Sequence, residues 1–224
     1  MFETVRQTLG EPESAFIGKL AADGSWTLNF EAAFDALNSS PVTRHPSLLL
    51  GTAFSFVHLL DYLAEKNLRF HLSAGSRAME TGGYKNRSRS LPKMELHALI
   101  TERFGIPPGK IICEYGMSEL GSQAYSVASD EWQVTGKIET THHSSLATHH
   151  FKFPPWARVQ IISPETNREA ADGETGLIRV FDLANVFSVA AVQTEDLGVR
   201  RGDGFELTGR AQQAAPRGCS LMNA

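Results

Sequence analysis

Ser47-Leu48-Leu49-Leu50-Gly51-Thr52 is a short apolar run that stops at Gly-Thr, and the reading of the chain around it turns on what it forms. A run of this length bounded by turn residues reads as a buried strand. Directly after it, Ala53, Phe56, Val57, Leu60, Leu63 and Ala64 recur at helical spacing, which predicts an amphipathic helix over 53–66 with Asn67 as its C-terminal stop. The alternation then repeats. A strand is predicted around Arg77–Thr81, ending at Gly82-Gly83. A helix is predicted over roughly 92–104, with Pro92 in its first turn, Leu96, Leu99 and Ile100 on one face, and Gly105 past its end. Lys110-Ile111-Ile112-Cys113-Glu114-Tyr115 reads as another buried strand. Strand, helix, strand, helix, strand in this order predicts a parallel sheet with covering helices.

Outward from that core the signals change. Residues 1–28 are mixed, with Gly10, Pro12 and Gly24 interrupting any period, and Asn29 is placed to cap a short helix over Phe30–Leu37. Residues 127–152 are polar, carry two His pairs and read as a loop. Beyond Pro154-Pro155-Trp156 the pattern is β: Ala157–Ile162, Leu177–Phe181, Val189–Gln193 and Phe205–Leu207 are predicted strands, with Ser163–Asn167 a turn between the first two. The expectation is an α/β fold: an α/β nucleotide-binding portion over 1–126, a polar His-containing loop over 127–152, and a smaller β-rich lobe with a C-terminal tail over 153–224.

Composition removes several classes. A net charge of −4 gives no broad basic surface for nucleic acid. No apolar run approaches the roughly 20 residues of a membrane-spanning helix, and Met1-Phe2-Glu3-Thr4-Val5-Arg6 carries no apolar signal core. Two cysteines, Cys113 and Cys219, do not make a disulfide framework, so the expected compartment is a reducing cytoplasm.

Four segments carry chemistry. Tyr115-Gly116-Met117-Ser118-Glu119 leaves a predicted strand, and in open α/β sheets ligands sit beyond strand C-termini. Tyr115 offers a flat face for a purine, Gly116 a close backbone approach, Ser118 a donor for phosphate oxygen, and Glu119 an oxygen ligand for Mg²⁺. Taken alone, this pentapeptide is as well explained by a plain turn with Ser118 as a cap. Glu80-Thr81-Gly82-Gly83 also ends a strand, ahead of the basic run Lys85, Arg87, Arg89 and Lys93, which can attract an anion or simply be solvated. Gln193-Thr194-Glu195-Asp196 puts adjacent acids after an apolar run, where a carboxylate can accept from both ribose hydroxyls or form an ordinary acidic turn. Gly202–Leu207 reads as a hairpin followed by Gly209-Arg210, whose guanidinium suits a phosphate or ribose clamp as well as a plain surface position.

The joint order of these pieces is more specific than any one of them. ETGGYK, YGMSELGSQAY, QTEDLG, GDGFELTGRA and RGCSL, in that succession, resemble the adenylate-forming superfamily of acyl and aryl ligases, and most closely acyl-protein synthetases of the LuxE type. The resemblance covers roughly residues 46–126 and 153–221. It implies activation of a carboxylic acid, expected to be a fatty acid, with ATP and Mg²⁺ as acyl-adenylate, followed by transfer to a cysteine thiol. It implies that Glu80, Gly82 and Gly83, with Tyr115, Gly116, Met117 and Ser118, line the adenine and α-phosphate. Glu119 would hold Mg²⁺, Asp196 would take the ribose hydroxyls, and Arg210 would lie near ribose and phosphate. Cys219, in Arg217-Gly218-Cys219-Ser220-Leu221, would be the acyl acceptor, and an acyl reductase or transferase the partner that takes the acyl group onward. The superfamily's Gly/Ser/Thr-rich phosphate loop has no counterpart in these residues, so a truncated, non-catalytic nucleotide- or partner-binding homologue stands as the alternative, with an aryl- or acyl-CoA ligase fragment as a third.

Two further features have plain readings. His142, His143, His149 and His150 form two pairs that can bind Zn²⁺ or Ni²⁺, but no cysteine or acid stands at useful ligand spacing. Cys113 sits inside an apolar strand and reads as inert core.

Overall fold

The computed structural model describes residues 2–22, 24–39, 44–84, 88–127 and 150–211. The chain divides into two compact units, one running to Ile112 and the other starting at Cys113.

In the first unit, α1 (Phe2–Leu9) precedes a small antiparallel hairpin of β1 (Gly18–Leu20) and β2 (Trp26–Leu28), neither of which the mixed sequence of 1–28 announces. Helix α2 (Phe30–Asn38) starts where Asn29 predicts it, with the Asn29 side chain accepting from the amide of Ala32. The decisive stretch forms β3 (Leu48–Thr52), and Thr52 itself caps α3 (Ala53–Glu65) by accepting from the amide of Ser55. Asn67 takes the left-handed conformation, φ 51°, that ends the helix. β4 (Arg77–Thr81) lies parallel to β3 over its whole length, as strand–helix–strand order requires. β3 is less buried than its composition implies, since Leu48 is largely exposed. Helix α4 (Lys93–Phe104) ends at Gly105, φ 71°. Leu96, Ile100 and Phe104 from α4 and Val57, Leu60 and Leu63 from α3 form one apolar cluster. Burial of each such side chain contributes about 2 kcal/mol.

The second unit is β. Its sheet runs in the order β5-β6-β7-β11-β10-β9-β8, with β5 (Ile111–Tyr115), β6 (Ala124–Val127), β7 (His150–Lys152), β8 (Ala157–Ile162), β9 (Thr175–Asp182), β10 (Ala191–Arg201) and β11 (Gly204–Arg210). Every pairing described within it is antiparallel. β10 and β11 form a hairpin closed by Gly202-Asp203, with Gly202 at φ 58°. The polar segment expected as a loop over 127–152 has strand at both ends, because β6 reaches Val127 and β7 takes His150–Lys152. Phe151 is the residue that turns inward there, 3% exposed. The core is an aromatic cluster: Phe205 stacks on Phe151 and Phe153 at centroid distances of 5.5 and 5.9 Å. Among the described residues no helix is long and apolar enough to cross a membrane.

Candidate active site

β10 carries an acidic bulge. Its ladder with β9 breaks between Gln193 and Leu197, so Thr194, Glu195 and Asp196 leave the register. Thr194 repairs the gap: its hydroxyl donates to the Ile178 carbonyl at 2.9 Å and accepts from the Asp196 amide at 3.1 Å. Opposite Asp196 in the β10–β11 register stands Arg210, next to Gly209, whose φ of 146° a side chain would resist. The Arg210 guanidinium lies 3.2 Å from Asp196 Oδ1 and 3.2 Å from Glu195 Oε2. Tyr115, at the end of β5, donates its hydroxyl to Asp196 Oδ2 at 2.9 Å.

Tyr115, Asp196 and Arg210, far apart in sequence, thus form one hydrogen-bonded set. Burial, and then the neighbouring Asp196 carboxylate, push the Tyr115 phenol well above its ordinary pKa, so it stays a donor. Its ring is 7% exposed and packs edge-on against Phe205 at 5.2 Å and close to Phe151 and Phe153. The sequence reading gives that ring a free face for a purine; in the fold its surface is taken up by phenylalanines and its polar end is what reaches the site. Asp196 and Arg210 keep 20% and 38% of their side-chain surface open, enough to meet a ligand.

The turn after Tyr115 leads into β6 rather than a helix. A Cβ at Gly116 would fall 2.9 Å from Gln123 Cγ and closer still to the Glu114 carboxylate, so a larger residue there would displace those two side chains. Met117 is half-buried. Ser118 and Glu119 are exposed side by side, the Ser118 hydroxyl 3.2 Å from the Glu119 carboxylate. A hydroxyl and a carboxylate, both exposed, are the hard oxygen donors that fit Mg²⁺.

Glu80, Gly82 and Gly83 belong to the first unit. Glu80 is fully buried, and Lys93 Nζ lies 2.5 Å from its carboxylate and 3.3 Å from the Gly82 carbonyl; His97 Nε2 is 3.5 Å away. Gly82 has φ 68°, and no atom of the described residues crowds either glycine. Of the basic run, Arg89 is bonded to Asp61 and Lys93 to Glu80, while Lys85 and Arg87 fall outside the described residues. Cys219 also lies outside them, as do His142, His143 and His149. His150 starts β7, where burial lowers its pKa. No metal-binding cluster occurs among the described residues. Cys113 is 4% exposed in β5.

A second polar network escapes the sequence reading. Asp182, fully buried at the end of β9, accepts from the amide and hydroxyl of Ser122 at 2.7 and 2.8 Å, and Trp156 Nε1 donates to the same hydroxyl at 2.9 Å. The signal existed: Asp182 ends an apolar strand run, as Asp196 follows one.

Two solved structures share this fold. ATP-bound MatB from Rhodopseudomonas palustris matches with a TM-score of 0.54 at 17% identity, covering 82% of this chain and 33% of its own. McyG A-PCP complexed with phenylalanyl-adenylate matches with a TM-score of 0.52 at 20% identity, covering 75% and 31%. At such identities the likeness is one of fold. Residues 14–224 match the acyl-protein synthetase family, LuxE, and the chain belongs to that family. Among its relatives, the long-chain-fatty-acid–luciferin-component ligase of Aliivibrio fischeri is 26% identical over 209 residues, 88% of this chain and 50% of the relative. The ligase of the same name from Vibrio harveyi is 23% identical over 203 residues, 87% and 49%. The chain therefore spans about half the length of these relatives.

Proposed function

We propose that this chain forms the adenylate-holding part of an enzyme that activates a long-chain fatty acid with ATP and passes the acyl group to a thiol. The observation that carries the reading is the Asp196 carboxylate, held between the Tyr115 hydroxyl and the Arg210 guanidinium yet open to solvent, in a chain of the LuxE family. A carboxylate fixed in this way presents its remaining lone pairs to two vicinal hydroxyls, the pattern a ribose offers. Tyr115 orients Asp196, and Arg210 supplies positive charge near the phosphate. Ser118 and Glu119 would hold Mg²⁺, which would offset charge on the phosphates. Catalysis in such a site rests on positioning and charge stabilisation. The relatives' names supply the substrate class, a long-chain fatty acid.

The acceptor in this reading is Cys219. Arg217, two residues before it in the sequence, supplies a cation that would favour thiolate, and the thiolate attacks the acyl carbon of the adenylate, forming the thioester and expelling AMP. An acyl reductase or transferase would then consume the thioester. Supplying tetradecanoyl-adenylate directly tests this without requiring ATP turnover by this chain. Mass spectrometry should find one tetradecanoyl group, removable by hydroxylamine, in the native chain and none in Cys219→Ser. Equal labelling of the heat-denatured chain or of Cys219→Ser, or labelling at Cys113, would refute the assignment.

A second reading is a nucleotide-binding homologue without turnover. It predicts binding of the adenylate with no acyl transfer in the same experiment.

A further inference from the structure

The loop that follows β9 reaches the Ser118–Glu119 turn at two points. Asp182 accepts from the Ser122 amide and hydroxyl, and also from the Ala184 amide at 2.9 Å, which fixes the start of its own loop. Asn185 Nδ2 donates to the Glu119 carbonyl at 2.7 Å and to the Val189 carbonyl at 3.1 Å. Between these contacts Gly121 passes so close that a Cβ would meet Asn185 Oδ1 at 3.2 Å and the Ala184 backbone at 3.3 Å. Trp156 closes the network from β8's side through Ser122.

Burial alone would raise the Asp182 pKa, but the hydrogen bonds from Ser122 and from the backbone of Ala184, Ser122 and Gly121 outweigh it and hold the carboxyl below its ordinary value. A buried anion is costly, and an apolar pair of the same shape would pack a turn as well. What the polar network adds is direction. It grips the backbone at Glu119 and again three residues later at Ser122. Leu120 is buried, while Ser118 and Glu119 are exposed and bonded to one another. Their position is therefore set by the backbone, and the backbone by the clamp.

We propose that Asp182 and Asn185 are positioning residues that lock the turn carrying Ser118 and Glu119, holding those oxygens where the metal–phosphate end of a nucleotide needs them. The role of the turn rests on the nucleotide reading above; the clamp itself does not. A purely structural contact would affect all ligands alike, whereas a clamp on this turn separates ligands that reach it from ligands that do not. AMP engages the Asp196 end of the site, and MgATP engages the turn as well.

The test uses the whole chain with Asn185→Ala, Ser122→Ala, Ser122→Thr and Asp182→Asn. In ligand-free protein, amide hydrogen exchange over residues 117–122 should quicken at least about tenfold in Asn185→Ala, Ser122→Ala and Asp182→Asn, while residues 196–210 hold their rates. MgATP should bind about five- to tenfold more weakly, the loss expected of one hydrogen bond, with AMP changed less than about twofold. Ser122→Thr, which keeps the hydroxyl, should restore both. Should Asp182→Asn fail to fold, Ser122→Ala reads the same contact. Unchanged exchange in the turn, or AMP affinity falling in step with MgATP, would overturn the proposal. A native chain that binds neither nucleotide overturns the nucleotide reading, while the exchange rates still decide the clamp.

Discussion

Glu80, near the end of β4, and Asp196, on the bulge of β10, each meet a cation, yet they are built for different work. Glu80 has no exposed surface; Lys93 bonds both of its oxygens and His97 lies against it. Asp196 sits on a bulge with a fifth of its side chain open, and its partner Arg210 is more open still. Glu80 is tied into its own unit, while Asp196 can accept a ligand's hydroxyls without losing Tyr115. The chemistry of a carboxylate follows from how much of its coordination the fold has already used, more than from its place in a motif.

The largest effect that sharpens this contrast is on stability. Lys93→Met should cost about 3 kcal/mol in denaturant unfolding, because it strips a buried carboxylate of its cation. Arg210→Met should cost under about 1 kcal/mol, as exposed ion pairs do. Equal costs would break the comparison. Next comes Glu119→Gln, which should abolish the Mg²⁺ dependence of nucleotide affinity seen in a titration with and without the metal. Persisting dependence would remove Glu119 as the ligand. Tyr115→Phe should cost about 1 kcal/mol of stability, the net worth of one hydrogen bond, and should weaken AMP by a few-fold through the loosened Asp196. A full loss of binding would mean that the phenol itself meets the ligand.

A further contrast is one of pH dependence, at Asp182. Its pKa is lowered in the fold, so its contribution to stability is fully present above the ordinary value of 3.8 and is lost as pH falls through the lower folded value. Unfolding measured against pH should show Asp182→Asn losing stability at pH 5–8 and converging on the native chain only in strong acid. Convergence already near pH 6 would contradict the hydrogen-bonded anion.

Much of the first unit was legible because local signals agree with the tertiary result. Asn29 caps, Gly105 terminates, and the apolar positions of 53–66 face one core. Of the residues singled out by type, the fold joins Tyr115, Asp196 and Arg210, and the order of the motifs agrees with the family to which the chain belongs. Three things were not legible. The burial of the Tyr115 ring depends on Phe151, Phe153 and Phe205, brought to it by antiparallel pairing across long sequence separations. The pairing of Lys93 with Glu80 turns an apparent anion-attracting run into a buried salt bridge. The Ser122–Asp182 contact spans 60 residues and has no periodic signature.

The central claim is that Asp196, held by Tyr115 and Arg210, takes the ribose of an adenylate. Calorimetric titration of a non-hydrolysable acyl-adenylate into the native chain and Asp196→Ala tests it most directly. The account predicts saturable binding to the native chain, weakened by about 1.5–3 kcal/mol in the variant, with unfolding of the variant shifted by about 1–2 kcal/mol because the Tyr115 hydroxyl loses its acceptor. Equal affinity in the two chains would contradict it.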